Sequence, residues 1–183
     1  MTDYASILAD IAMRADDDAL PADGLPARLS QREIDRAERQ LGFGLHPLLK
    51  AIYRDFANGG FGPEYRLFSL TGGPTSEQAV DSYLRARSGY AGTEWAWPEG
   101  VLPIMTWGCG MYACVDCRSA EGTVLLFEPN PGDPDAAWFV DSPSLLEWFE
   151  HYVNDTGWWI KAEEGEDLDE MPPWPESRER AAR

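Results

Sequence analysis

Cys109, Cys114 and Cys117 are the residues of this 183-residue chain whose type and spacing come nearest to a reactive or metal-binding cluster. Cys114-Val115-Asp116-Cys117 has the CxxC form, and such a pair binds zinc when a tight turn lets both sulfurs converge on one ion. The run around it, MYACVDC, alternates as a strand does. Residues three apart in a strand point to opposite faces, with Cα atoms roughly 10 Å apart at about 3.3 Å per residue. That separation is beyond the reach of a disulfide or of a single metal. Cys109 and Cys114 meet the same parity problem, and a fourth ligand would have to come from His46 or His151, both distant in the chain. The three cysteines therefore read as buried structural thiols, and no metal or other cofactor is expected. The histidines offer no better start, because neither stands in a GxSxG, HExxH or paired-histidine pattern. His46 precedes Pro47 and suits the cap of a helix. His151 faces away from the Leu146 and Phe149 stripe, toward water. No catalytic residue is assigned, and the chain does not read as an enzyme.

The phrase NGGFGPEY, residues 58–65, invites a phosphate-loop reading because it holds three glycines and a proline. Its geometry is the reverse of what an anion needs. Anions sit at a helix N-terminus, where free N–H groups point outward, whereas these glycines follow a helix C-terminus, where carbonyls do. No Lys-Ser/Thr pair follows. Asn58, Gly59 and Gly60 instead read as a corner in left-handed backbone that ends one helix and turns the chain.

The elements around these residues follow from apolar spacing. Tyr4, Ile7, Leu8, Ile11 and Ala12 form one helical stripe that ends on Asp16-Asp17-Asp18, followed by a Pro/Gly-rich link. Ser30-Gln31-Arg32-Glu33 is a capping box that opens a second helix carrying Ile34, Ala37 and Leu41, and Gly42 stops it. Pro47 suits the first turn of a third helix with Leu48, Leu49, Ile52, Tyr53 and Phe56 on its apolar side. EYRLFSL then predicts a strand, and Ala79, Val80, Tyr83 and Leu84 a further helix. VLPIMTW, MYACVDC and GTVLLFE predict three strands of an antiparallel meander, with AWFV as a short fourth. Ser142-Pro143 begins a helix with Leu145, Leu146, Phe149 and Val153, ending near Gly157. These predict an α+β fold, one domain over residues 1–161 with a central antiparallel sheet of about four to six strands flanked by helices. Residues 162–183, with EEGEDLDE ahead of PPWP, read as a flexible acidic tail.

A formal net charge of −17 and a sequence pI near 4.3 bound the partners. Such a surface repels the phosphates of nucleic acid and anionic lipid and attracts a basic protein. No stretch approaches the roughly 20 apolar residues of a membrane helix. The acid-bearing N-terminus lacks the form of a secretory signal. The odd number of cysteines fits a reducing cytoplasm. Only two of fifteen basic residues are lysine, in an Ala-, Gly- and Pro-rich chain, which fits a GC-rich bacterial genome.

The run IDRAERQLGFGLHPLLKAIYRDFANGGFGPEYRLFSL resembles the signature of the SUKH superfamily, which includes the yeast cell-wall-synthesis regulator and many bacterial toxin-immunity proteins. The matching positions are Ile34, Glu38, Leu41, Gly42, Leu45, Pro47, the apolar residues of the third helix, and Asn58-Gly59-Gly60, continuing through Phe61-Gly62-Pro63. A weaker likeness recurs in LPIMTWGCGMYACVDC and SLLEWFEHY, so it covers roughly residues 28–160. His46 stands where the family commonly has a proline, and Pro47 supplies that stiffness one residue later. The resemblance implies an α+β domain without catalysis, in bacteria an antidote that binds and neutralises a toxin such as a nuclease or deaminase. A scaffold or regulatory module without a toxin partner is the alternative reading, and a cysteine-based metal or redox protein the third. The signature residues are expected to determine the fold, leaving recognition to the variable surface.

Two segments combine acids with the aromatic residues that dominate interface hot spots. One is residues 89–100, with Tyr90, Trp95 and Trp97 beside Glu94 and Glu99. The other is the acidic run of Glu163, Glu164, Glu166, Asp167, Asp169 and Glu170 with Trp174 behind it. Both are candidates to face a basic protein partner; the alternatives are that the loop tryptophans fold back over the sheet edge and that the tail is a solvated extension.

Overall fold

The computed structural model describes residues 4–17, 24–75 and 77–182. Helix α1 (Ala5–Asp17) buries Ile7, Ile11 and Ala15, and Asp18 with the first part of the predicted link lies outside the described residues. In α2 (Gln31–Leu41) the capping box is formed as expected. The Ser30 hydroxyl accepts from the Glu33 amide while the Glu33 carboxylate accepts from the Ser30 amide at 2.8 Å. Gly42, at φ 80°, closes the helix by donating to the Glu38 carbonyl. The Glu38 side chain then ties this helix to the next one. It accepts from the Leu45 amide at 2.8 Å and pairs with Lys50 at 2.6 Å. Helix α3 (Pro47–Ala51) starts on Pro47 and widens into a π-helical turn over Ile52–Phe56, which the Ala57 amide closes onto the Ile52 carbonyl five residues back. His46 occupies the N-cap position without capping through its side chain. Its ring is buried against the Ala120 carbonyl, 3.2 Å from Nε2, and burial lowers its pKa.

The NGG corner is structural, although Asn58 works differently from the expectation. It is absent from the left-handed residues, and holds the following segment by its amide instead. Its Oδ1 accepts from the Leu70 amide at 2.8 Å and its Nδ2 donates to the Thr71 carbonyl at 3.0 Å. Gly59 and Gly60 carry the positive φ values, 76° and 81°, and a Cβ on Gly59 would run into the backbone carbonyl of Phe68. That carbonyl also accepts from the buried Tyr53 hydroxyl, and the Phe68 amide donates to Ile104 of the sheet. The corner is thus clamped between helix and sheet by backbone groups. Residues 64–70, predicted as a strand, instead turn tightly with Arg66 at φ 59° and contribute one isolated parallel bridge, Ser69 to Gln78. Proximity to the corner leaves them no straight run.

Helix α4 (Ala79–Gly89) leads into the predicted meander: β1 (Val101–Gly108), β2 (Met111–Asp116), β3 (Val124–Phe127) and β4 (Trp138–Ser142), antiparallel in the order β1-β2-β3-β4. Helix α5 (Leu145–Val153) begins two residues later than the Ser142-Pro143 start, because Ser144 is the cap and accepts from the Glu147 amide. Short helices α6 (Trp158–Glu164) and α7 (Ser177–Ala181) follow. Register decides which side chains share a face. Tyr112 opposes Phe127, which opposes Trp138, and Cys114 opposes Leu125, so these lie on one side, while Ala113, Val115, Leu102 and Val124 lie on the other. Both sides are apolar, and β3 is buried throughout.

Cys114 sits inside β2, and burial raises its thiol pKa well above the ordinary value. The Cys117 thiol, just past the strand, is pushed up to about 12 by burial. Cys109 departs from the expected buried thiol. It is exposed, at φ 50°, in the tight β1–β2 turn between Gly108 and Gly110.

Asp141 joins β4 to α5 and α6. Its Oδ2 accepts from the indole N–H groups of Trp148 (3.3 Å) and Trp158 (3.2 Å), and its Oδ1 from the Ser142 hydroxyl. Burial raises its pKa to about 6, against the hydrogen bonds that favour the anion.

Two predictions follow from these contacts. Gly59→Val imposes a β-branched residue at positive φ and drives its Cβ into the Phe68 carbonyl. It should destabilise the fold by about 3 kcal/mol or more, read as a thermal-melt shift of at least about 6 °C. Asp141 binds its proton more tightly folded than unfolded, so its contribution declines as pH rises from about 4 to about 6. Asn at this position keeps an oxygen for both indoles and carries no charge. In thermal melts Asp141→Asn should therefore prove more stable than the wild type above pH 7, by up to about 3 kcal/mol, and match it near pH 4.

Candidate partner-binding surface

The loop of residues 89–100 divides its aromatic residues between solvent and core. Tyr90 is 45% exposed, Glu94 is exposed, and Trp95 is half-buried with its ring edge against Phe127. Trp97, a candidate to face a partner, instead takes the alternative of folding back over the sheet and is only 3% exposed. Its ring packs at 5.0 Å from Phe127 and 4.9 Å from Trp138, and its Nε1 donates to the Val101 carbonyl at 2.8 Å. Arg87 of α4 fixes the loop by donating to the Trp97 carbonyl at 2.6 Å. The reason is the sheet beneath: Phe127 and Trp138 would otherwise face water, and covering them with an indole stabilises the fold by a few kcal/mol. Glu99 is partly occupied as well, through an ion pair with Arg118.

Beside Tyr90 a cleft of about 430 Å³ opens between α4 and the sheet. Trp97, Tyr112, Phe127 and Pro129 line its apolar side, and Glu77, Ser82 and Arg85 its polar one. Glu77 accepts from the Ser82 hydroxyl at 2.8 Å and lies 3.9 Å from Arg85. Burial raises the pKa of the Tyr112 phenol, and the nearby Glu77 carboxylate adds to the effect.

The second segment also splits. Glu163 and Glu164 end α6, Gly165 turns the chain at φ 72°, and Glu166, Asp167, Asp169 and Glu170 stand in solvent. Lys161 pairs with Asp169 at 2.8 Å, raising the lysine pKa and lowering the carboxylate's. Beyond Glu170 the chain returns to the sheet. The Val140 amide donates to the Pro172 carbonyl at 2.8 Å and the Trp174 amide to the Trp138 carbonyl at 2.9 Å, so Pro172–Trp174 lies antiparallel along the free edge of β4. Trp174, a candidate for an interface, is 6% exposed and packs on Trp138. In α7 the Arg180 guanidinium reaches the carboxylate of Asp116 on β2, both side chains being buried, and the Glu99 amide donates to the Arg180 carbonyl at 3.1 Å.

The two segments therefore meet on one face of the sheet, through the ring series Trp97–Trp138–Trp174. Tyr90, Glu94 and part of Trp95 remain outward near the cleft, and the acidic run remains outward at α6. Asp116, Trp138 and Arg180 were not singled out by sequence, because a contact between positions 64 residues apart leaves no local signal. No curated protein matches the chain. The model of the SMI1 / KNR4 family (SUKH-1) matches residues 28–151, which span α2 through most of α5 and hold the Glu38 tie, the corner and all four strands. With more than half its length matched, the chain belongs to the SMI1/KNR4 (SUKH-1) family.

Proposed function

We propose that this protein is a non-enzymatic bacterial immunity protein that neutralises a basic toxin domain, a nuclease or deaminase, by binding it directly in the cytoplasm. The observation that carries this reading is the net charge of −17 on a SUKH-1 chain, with acids concentrated in exposed stretches such as residues 163–170. Nucleases present positive clefts to phosphate, and an acidic protein fills such a cleft with its carboxylates. Long-range attraction also raises the encounter rate, the property an antidote needs. The signature residues support the division of labour: Glu38, Leu41, Gly42, Pro47, Asn58, Gly59 and Gly60 serve caps, a corner and the core. Recognition is left to the outward Tyr90, Glu94 and Trp95 and to the acidic run.

Co-expression with a polymorphic toxin encoded beside this gene should restore growth, and the two proteins should purify together. Growth arrest despite expression, or capture of a housekeeping signalling complex instead, would replace the antidote with a scaffold. Steering makes a kinetic prediction. Raising ionic strength to about 0.5 M, or neutralising the six carboxylates of residues 163–170 together, should lower the on-rate by roughly tenfold or more. The dissociation rate and melting temperature should change little. An on-rate indifferent to both would leave the acidity without a part in recognition.

A further inference from the structure

The C-terminal strap, residues 172–181, lies beyond the family-matched region, yet it covers a sheet face that belongs to that region. Its mode of attachment has the parts of peptide recognition. Extended backbone pairs with the open edge of β4, an indole enters an aromatic pocket, and an arginine reaches a buried carboxylate. The Arg180 guanidinium also lies over the Trp174 ring, 5.6 Å from its centroid, so the two anchors set a spacing of six residues. The strap connects to α6 through the exposed run from Gly165 to Glu170, in which Asp169 pairs back to Lys161 of α6. Asp116 is the decisive group. Asp116 would be left buried without a cation by any segment that covers it again without one, a strongly destabilising arrangement, so a segment that replaces the strap has to bring a cation to this position.

We infer that this groove, bounded by the β4 edge, Trp97, Trp138 and Asp116, is a peptide-recognition site held by the chain's own C-terminus, and that it takes from a basic partner a segment with a tryptophan in a short extended stretch and, six residues on in a following helical turn, an arginine. The inference deepens the binding role proposed above by naming the segment recognised. The chain supplies the pattern for that segment itself: Pro-Trp-Pro along the β4 edge, then a turn and the short helix α7 that brings Arg180 back over Trp174. The strongly negative charge around the site favours a basic occupant over a neutral one.

The test needs no toxin, so it fails or succeeds independently of the antidote reading. A protease site is inserted between Asp167 and Leu168 of the full chain, the folded protein is cut there, and the strap is allowed to dissociate on dilution. Three results are expected. The body keeps its far-UV circular dichroism. A labelled synthetic peptide of residues 171–183 rebinds saturably, and at least tenfold more weakly as its Trp174→Ala or Arg180→Ala version. An unrelated basic peptide that preserves only Pro-Trp-Pro and the arginine six residues on binds within about tenfold of the native strap. Unfolding of the body once the strap leaves would make the strap an integral part of the fold and overturn the inference. Rebinding insensitive to both substitutions, or confined to the native strap sequence, would overturn the ligand assigned here.

Discussion

The four-stranded sheet is apolar on both faces, and that constraint organises the molecule. On one face Tyr112, Cys114, Leu125, Phe127 and Trp138 follow one another across the register, and leaving them open would expose several large side chains at about 1.5–3 kcal/mol each. Among the described residues no single helix covers this area. The chain assembles a cover from pieces distant in sequence: Trp97 from the loop after α4, Trp174 from the strap, and α7, fixed by Arg180 on Asp116. The edge of β4 sets a parallel requirement, because unpaired N–H and C=O groups there are a template for unwanted pairing. Pro172–Trp174 satisfies part of that edge, and the flanking prolines cannot donate to a further strand.

The features read correctly from sequence are those whose determinants are local. A capping box needs residues 30 and 33, a helix stop needs Gly42, and a meander needs alternating apolar runs separated by short turns; each is formed. The family signature was legible for the same reason, since residues 34–60 build two caps and a corner within one stretch of chain. Asn58 shows where local reading stops. Its type was recognised as a corner residue, but its work is a pair of hydrogen bonds to Leu70 and Thr71, set by a fold-back that composition does not report. Trp97 and Trp174 are the larger case. An aromatic residue amid acids, glycine and proline has the same signature whether it awaits a partner or lies on its own sheet. Which occurs depends on the sheet area around Phe127 and Trp138, a property of residues 30 to 41 positions away from the indoles that cover them.

The surface left over is sharply divided from the covered one. Tyr90, Glu94, the edge of Trp95 and the acids of residues 163–170 face solvent, while the SUKH-1 signature is spent on holding α2, α3 and the corner together. This separation gives a recognition surface freedom to change charge and shape without altering the core. The acidic run also leads directly into the strap, ending two residues before Pro172.

Hydrogen–deuterium exchange of the intact chain, read by mass spectrometry segment by segment, tests the two-cover account most directly. Amides of the acidic run 165–170 should exchange fastest and those of β2 and β3 slowest. The Val140 and Trp174 amides, which hold the strap to β4, should be protected well above the acidic run and below the central strands, opening together as one unit. Exchange of residues 172–181 as rapid as that of residues 165–170 would contradict the account, because the sheet face under Trp174 would then be open.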